Sequence, residues 1–145
     1  MLNTKQKGSA TELHCMAAFA DLGYECYVPH GEDSRYDFIA DVDGKLIRVQ
    51  SKTSQLSEDG SVANFSCRST RVNSRGVYFR QYNKDEIDYF CTYFNRKCYL
   101  IPVEDCGSSA KQLRITPPKS NQQKAINYAS DYELSNQIQK ILNKN

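Results

Sequence analysis

The stretch RYDFIADVDGKLIRVQSK, Arg35 to Lys52, decides how the rest of the chain is read. Its two apolar runs flank Asp43-Gly44, the strongest short-range signal for a two-residue hairpin turn, because a type I′ turn needs positive φ at both central positions. With Asp43 and Gly44 in the turn, Val42 faces Lys45, Ala40 faces Ile47, Phe38 faces Val49 and Asp37 faces Gln50. Alternation then sends Phe38, Ala40, Val42, Ile47 and Val49 to one face, which has the character of a core. Asp37, Gln50 and Lys52 fall together on the other face, at the end away from the turn. A slip of one residue would scatter them. On that second face Ile39 and Leu46 want cover whereas Asp41 and Arg48 want water, so geometry alone leaves two readings open: a functional cluster or a half-wet sheet face.

The residue types favour chemistry. An Asp carboxylate and a Gln side-chain oxygen are hard donors suited to Mg²⁺. A lysine two residues along the strand can orient a water or stabilise charge on a phosphate. A divalent ion held by few protein ligands keeps waters, one of which can attack phosphorus in line. Together these are the parts that phosphodiester hydrolysis requires.

The rest of the chain sets bounds on this reading. Its 145 residues fit one domain, 1–145, with no linker and no internal repeat. Apolar residues make up 39% and charged residues 25%, enough for a core, and the net charge of +2 means that any nucleic-acid surface must come from local clustering. The six cysteines show no C-x-x-C and no Cys/His zinc spacing. With no signal-peptide pattern at the N-terminus and no apolar run long enough to span a membrane, they are expected to be reduced thiols in a cytoplasmic protein, a disulfide-stapled secreted fold being the alternative.

Residues 4–22 carry an apolar stripe of Ala10, Leu13, Met16, Ala17 and Ala20 and predict a helix, capped by Thr4 or Ser9 and stopped at Gly23. Residues 24–29 predict a short strand. IDYFCTYF and CYLIPVED predict a second hairpin across Asn95-Arg96-Lys97, and Lys124 to Leu142 predicts a helix with Ile126, Ala129, Leu134, Ile138, Ile141 and Leu142 as its apolar positions. Residues 53–61 read as loop, and 61–84 as part strand and part loop. This order predicts an α/β or α+β fold with helices packed on a mixed central sheet.

An Asp at the head of one strand and an acid-x-Lys pair on the next resemble the PD-(D/E)xK nuclease superfamily, through Tyr36-Asp37 and Gln50-Ser51-Lys52. Tyr36 replaces the proline, a chemically silent change; Gln50 replaces the acid and removes one negative ligand. The longer phrase GEDSRYDFIADVDGKLIRVQSKTS, Gly31 to Ser54, resembles the group I intron-associated homing endonucleases of that superfamily, which use Gln in the same slot. The resemblance runs from KGSATEL through the second hairpin. It implies a restriction-endonuclease-like α/β fold with a mixed central sheet flanked by helices, and a Mg²⁺- or Mn²⁺-dependent endonuclease acting on double-stranded DNA. It also implies Asp37, Gln50 and Glu12 as metal ligands, with Lys52 completing the catalytic set. Read alone, Glu12 is an ordinary exposed helix carboxylate pairing with a neighbour; it gains weight because it adjoins the apolar stripe that must face the sheet carrying Asp37.

Between Ser61 and Lys84 there is no acid, while Arg68, Arg71, Arg75, Arg80 and Lys84 interleave with Tyr78, Phe79 and Tyr82. With Lys5, Lys7 and Arg35 these are the candidate DNA contacts, a solvated basic loop being the plainer reading. His14 and His30 have no partner at metal-ligand spacing. Homing requires long sites that a small chain spans only as a homodimer or homotetramer. The rivals are a Holliday-junction resolvase or repair nuclease and a catalytically inactive DNA-binding protein on the same fold; Gln50 favours the last.

Overall fold

The computed structural model describes residues 1–120 and 126–144. A five-stranded mixed sheet forms its centre. In chain order its strands are β1 (Cys26–Tyr27), β2 (Phe38–Val42), β3 (Lys45–Ser51), β8 (Tyr89–Phe94) and β9 (Lys97–Pro102), and they lie side by side in that same order. Every neighbouring pair is antiparallel except β3 and β8, which run parallel. The chain segment between those two strands builds four more: β4 (Gln55–Leu56), β5 (Val62–Ser66), β6 (Arg68–Asn73) and β7 (Gly76–Gln81).

The opening hairpin forms as expected. Asp43 and Gly44 have φ of 52° and 90°, and the pairs Val42–Lys45, Ala40–Ile47 and Phe38–Val49 are in register. Asp41, on the polar face, accepts the Gly44 N–H at 2.7 Å and so closes the turn. The second hairpin turns on two residues, Asn95 and Arg96, rather than three, with Phe94 opposite Lys97. Both turn residues take positive φ, 51° and 63°, the same I′ solution reached without glycine.

Helix α1 (Thr4–Asp21) is capped by neither Thr4 nor Ser9 but by Asn3, which accepts the Gln6 N–H while Gln6 accepts the Asn3 N–H, both at 2.9 Å, a reciprocal capping box. It ends at Gly23, φ 88°, where the Gly23 and Tyr24 amides turn back onto the carbonyls of Ala20 and Phe19. Its buried face is Thr11, Cys15 and Phe19, not the alanine-rich stripe; Leu13 is 64% exposed. Burial gain scales with apolar area, so Phe19 sets the helix's rotation and the alanines have little to lose in water.

Helix α2 (Leu134–Asn143) is shorter than expected. Lys124 and Ala125 lie outside the described residues. From Ile126 to Tyr128 the chain is extended, and a 3₁₀ turn spans Ala129–Tyr132. Bridges hold this approach open: Tyr128 pairs with Arg114, and Glu133 with Tyr99.

Both helices cover one face of the sheet. Cys15, Phe19, Leu134, Ile138 and Ile141 pack there on Phe38, Ala40, Val49, Cys91 and Leu100. On the other face Phe90, Phe94, Tyr99 and Ile101 pack against a small antiparallel sheet of β4, β5 and β10 (Ala110–Arg114) through Ala63, Phe65 and Leu113. The molecule is thus the expected α/β fold, a mixed central sheet with helices packed on it, and the small sheet adds a third layer on the other face. Among the described residues, no helix is long and apolar enough to cross a membrane.

Candidate active site and nucleic-acid surface

The regular ladder between β2 and β3 ends at Phe38–Val49. The anticipated Asp37–Gln50 pair does not form. The Asp37 amide donates instead to Val49 O at 2.8 Å, one residue out of step, and its carboxylate turns toward Ser51. Asp37 Oδ2 accepts the Ser51 N–H at 2.9 Å and the Ser51 hydroxyl at 2.6 Å, which together fix the carboxylate at the end of the sheet. Two donors on one charged oxygen are a strong orienting device.

Parallel pairing with β8 sets the faces of the motif. Gln50 lies beside Phe90 and Ser51 beside Cys91, and the Lys52 amide donates to Cys91 O at 2.8 Å. Gln50 and Lys52 therefore belong to the layer of the small sheet, and Ser51 to the helix layer. Gln50 uses its amide nitrogen in a long 3.5 Å contact to Ser51 O. Lys52 Nζ donates to Arg68 O at 2.9 Å and stands 5.1 Å over the Tyr82 ring. Burial pushes its pKa below the ordinary lysine value, against the opposing pull of Asp37.

Glu12 reaches the same place from the helix layer. Thr11 and Thr53 share a 3.0 Å hydroxyl contact that ties α1 to the segment just after Lys52. The Glu12 carboxyl is held above the usual carboxylate range, first by burial and then by the negative charge of Asp37. Asp37, remote in sequence from both, thus acts through its charge on Glu12 from one side and on Lys52 from the other. Gln50 is joined to them through the backbone, with no direct side-chain bond to Asp37 among the described residues.

β6 and β7 pair into an antiparallel ribbon, rooted at Arg68–Gln81 and tipped by Ser74-Arg75 between the paired Asn73 and Gly76. Beyond its root every residue of the ribbon is exposed, and the whole 61–84 segment is part strand and part turn, as the sequence suggested. Ser69, Arg71, Asn73, Tyr78 and Arg80 share one face; Arg68, Thr70, Val72, Val77, Phe79 and Gln81 share the other. Arg68 stacks on Phe79 at 3.7 Å.

The remaining candidate cations divide by role. Arg35 is committed to the protein: it bonds Glu86 at 2.8 Å, Ser69 Oγ at 3.0 Å and Gln81 O at 2.9 Å, and lies 3.9 Å over Tyr82. It anchors the ribbon's root. Arg80 shares the same Glu86 oxygen at 2.8 Å but stays largely exposed. Arg71 and Arg75 are exposed on the ribbon. Lys84 lies apart from it, its carbonyl accepting from Arg48. Lys5 and Lys7 are exposed in the first turns of α1. His14 stacks on Tyr93 at 4.2 Å, and His30 is exposed.

Sequence reasoning missed Ser51, Thr53 and Glu86. Ser51 is the unspecified middle residue of its motif, and strand alternation points it away from its neighbours. Glu86 sits just outside the acid-free segment and pairs with one of its arginines, Arg80, as well as with Arg35.

A search of curated proteins finds no match to the chain. Among solved structures, the bacterial homing endonuclease I-Ssp6803I superposes with a TM-score of 0.77 at 24% identity, covering 99% of this chain and 100% of that one. The family model described as PD-(D/E)XK endonuclease matches residues 2–135, and the chain belongs to that family.

Proposed function

We propose that this endonuclease cleaves double-stranded DNA with the help of a divalent ion, Mg²⁺ or Mn²⁺, at an intron-homing site. The observation that carries the proposal is the meeting of Glu12, Asp37 and Lys52 at one end of the sheet, beside the root of an exposed basic ribbon. The homing part draws on the full-length likeness to a bacterial homing endonuclease.

The donor set fits such an ion. Asp37 has one oxygen fixed by Ser51, which leaves the other to ligate. Glu12 and Asp37 repel each other, a cost that a cation between them offsets. Gln50 engages only its amide nitrogen among the described contacts, so its oxygen remains a hard donor. When bound, the ion would polarise the scissile phosphate and help to activate the attacking water.

The chain's own residues do the rest. Ser51 holds Asp37 in one orientation, so the site needs little rearrangement as substrate arrives. Lys52 carries three N–H donors, of which one is given to Arg68 O. The other two serve to position the attacking water and to stabilise charge on the phosphorane. The ribbon has the width and exposure to enter a major groove, where Arg71, Arg75 and Tyr78 meet phosphates and base edges. Two or four copies would set one site on each strand and lengthen the footprint.

A plasmid-nicking assay in Mg²⁺, run beside a gel shift, tests the reading. Wild type should nick and bind, whereas Lys52→Ala and Asp37→Asn should bind without nicking. Wild-type cleavage by either variant overturns the assignment. Preference for branched over linear duplex would point to a junction resolvase, and binding without any cleavage to an inactive DNA-binding protein. Sedimentation of a monomer on the target duplex would refute the oligomer.

A further inference from the structure

Three sulfurs converge beneath α1, in the helix layer. Cys15 comes from α1, Cys91 from β8 and Cys98 from β9, and their Sγ atoms all lie within 4.8 Å of one another. Cys91 and Cys98 approach to 3.1 Å. Cys15 and Cys91 are fully buried and Cys98 nearly so. A buried cysteine usually behaves as a small apolar side chain. Packing, however, does not require sulfurs from three separate elements to point at one spot.

The donor set is wholly soft, because the cluster contains no carboxylate or imidazole. Metal–sulfur bonds of about 2.3 Å in a trigonal plane separate the sulfurs by about 4 Å; all three already lie within 4.8 Å of one another, and Cys91 and Cys98, at 3.1 Å, need only part to admit the ion. Zinc in a structural site wants a fourth ligand, which this cluster of three does not supply. Cu(I), a soft ion suited to thiolates, is served by three. Cys98 lines a surface groove of about 300 Å³ with Ala18, Leu22, Lys97, Glu133 and Leu134, which brings one edge of the cluster next to solvent.

We propose that Cys15, Cys91 and Cys98 form a buried three-thiolate site for one thiophilic ion of the Cu(I) class, distinct from the candidate active site. Each ligating thiol passes its proton to solvent as the sulfur–metal bond forms. Cys15 lies on α1 just after Thr11 and Glu12, so an ion here would cross-link that helix to β8 and β9 and stiffen the platform that carries Glu12.

The test uses the reduced full-length chain under anaerobic conditions, with Cu(I) supplied against a chromophoric Cu(I) chelator. Wild type and a Cys26→Ser/Cys106→Ser control should each withhold one equivalent. Cys91→Ser and Cys98→Ser, checked for folding by circular dichroism, should bind more weakly by about a hundredfold or more. X-ray absorption of the wild-type complex should count three sulfur neighbours at about 2.3 Å. No equivalent withheld by wild type, equal loss in the control variant, or a sulfur count below three overturns the proposal. If the cysteine variants do not fold, the wild-type sulfur count decides. Nuclease activity is not part of the readout, so failure here leaves the catalytic reading intact.

Discussion

Ser51 donates to Asp37 twice, from its amide at 2.9 Å and its hydroxyl at 2.6 Å, although strand alternation aims its side chain away from both neighbours in the motif. The middle residue of Gln50-Ser51-Lys52 is therefore the positioning group for the acid. Ser51→Ala should slow single-turnover cleavage by about tenfold, the worth of one hydrogen bond to a charged acceptor, and leave duplex affinity unchanged. An unaltered cleavage rate would remove Ser51 from the site.

Burial lowers the Lys52 pKa, so its ammonium loses its proton at a pH below the usual lysine range. If the charged form stabilises the phosphorane, cleavage falls as pH rises through that lowered value. In Lys52→Arg the guanidinium stays charged, and any residual activity should lack this alkaline decline. A rate that climbs over the same range would make Lys52 a base instead. The linkage to stability has the opposite sense: the folded state binds fewer protons than the unfolded one between the two pKa values, so stability rises with pH there.

Glu12 is held above its ordinary pKa by burial and by Asp37. The folded chain therefore retains a proton that the unfolded chain has already lost, and ionisation of Glu12 works against folding once pH exceeds the raised value. Without divalent ions at neutral pH, Glu12→Gln should match or exceed wild type in Tm, by about 2 °C or less because the site is partly solvated. In acid that gain should vanish. Adding Mg²⁺ should raise the Tm of wild type but not of the variant, as differential scanning fluorimetry can show.

Arg71 and Arg75 are exposed on the ribbon, and neither is tied into an ion pair among the described residues. Replacing each with alanine should weaken duplex binding and reduce the slope of log affinity against log salt by about 1 for each phosphate no longer neutralised. Cleavage at saturating protein should be unchanged. A salt slope that does not move would exclude these two side chains from the DNA backbone.

Arg35→Ala should behave differently. It strips a half-buried carboxylate, Glu86, of a 2.8 Å partner and frees the ribbon's root from Ser69, Gln81 and Tyr82. A loss of about 2 kcal/mol in denaturant unfolding is expected. The double variant with Glu86→Ala should cost less than the sum of the two single changes.

The fold was legible where a local rule has one solution. Asp43-Gly44 fixed a register that the structure keeps for five consecutive pairs, and Gly23 stopped its helix. The rest was set by tertiary competition. Alanine spacing pointed α1 the wrong way because Phe19 outweighs several methyl groups, and α2 lost its first turns to bridges with Arg114 and Tyr99. The β10 strand, AKQLR, is short and carries two charges, so periodicity marks it poorly. At the candidate site, residue types singled out Asp37 and Lys52, whereas pairwise counting could not foresee that Asp37 leaves the ladder for Ser51. Arg35 counted as a free cation until its three partners were visible.

The ribbon leaves the body at Arg68 and returns at Gln81, which face each other. A projection whose two ends coincide can be exchanged, lengthened or shortened without moving either attachment point. Its strands contribute little to the interior, so mutational drift there is nearly free of folding penalty. If the ribbon meets DNA as proposed, this architecture separates what must stay constant from what selection on a new target would need to vary, and residues 70–79 are the natural graft for retargeting.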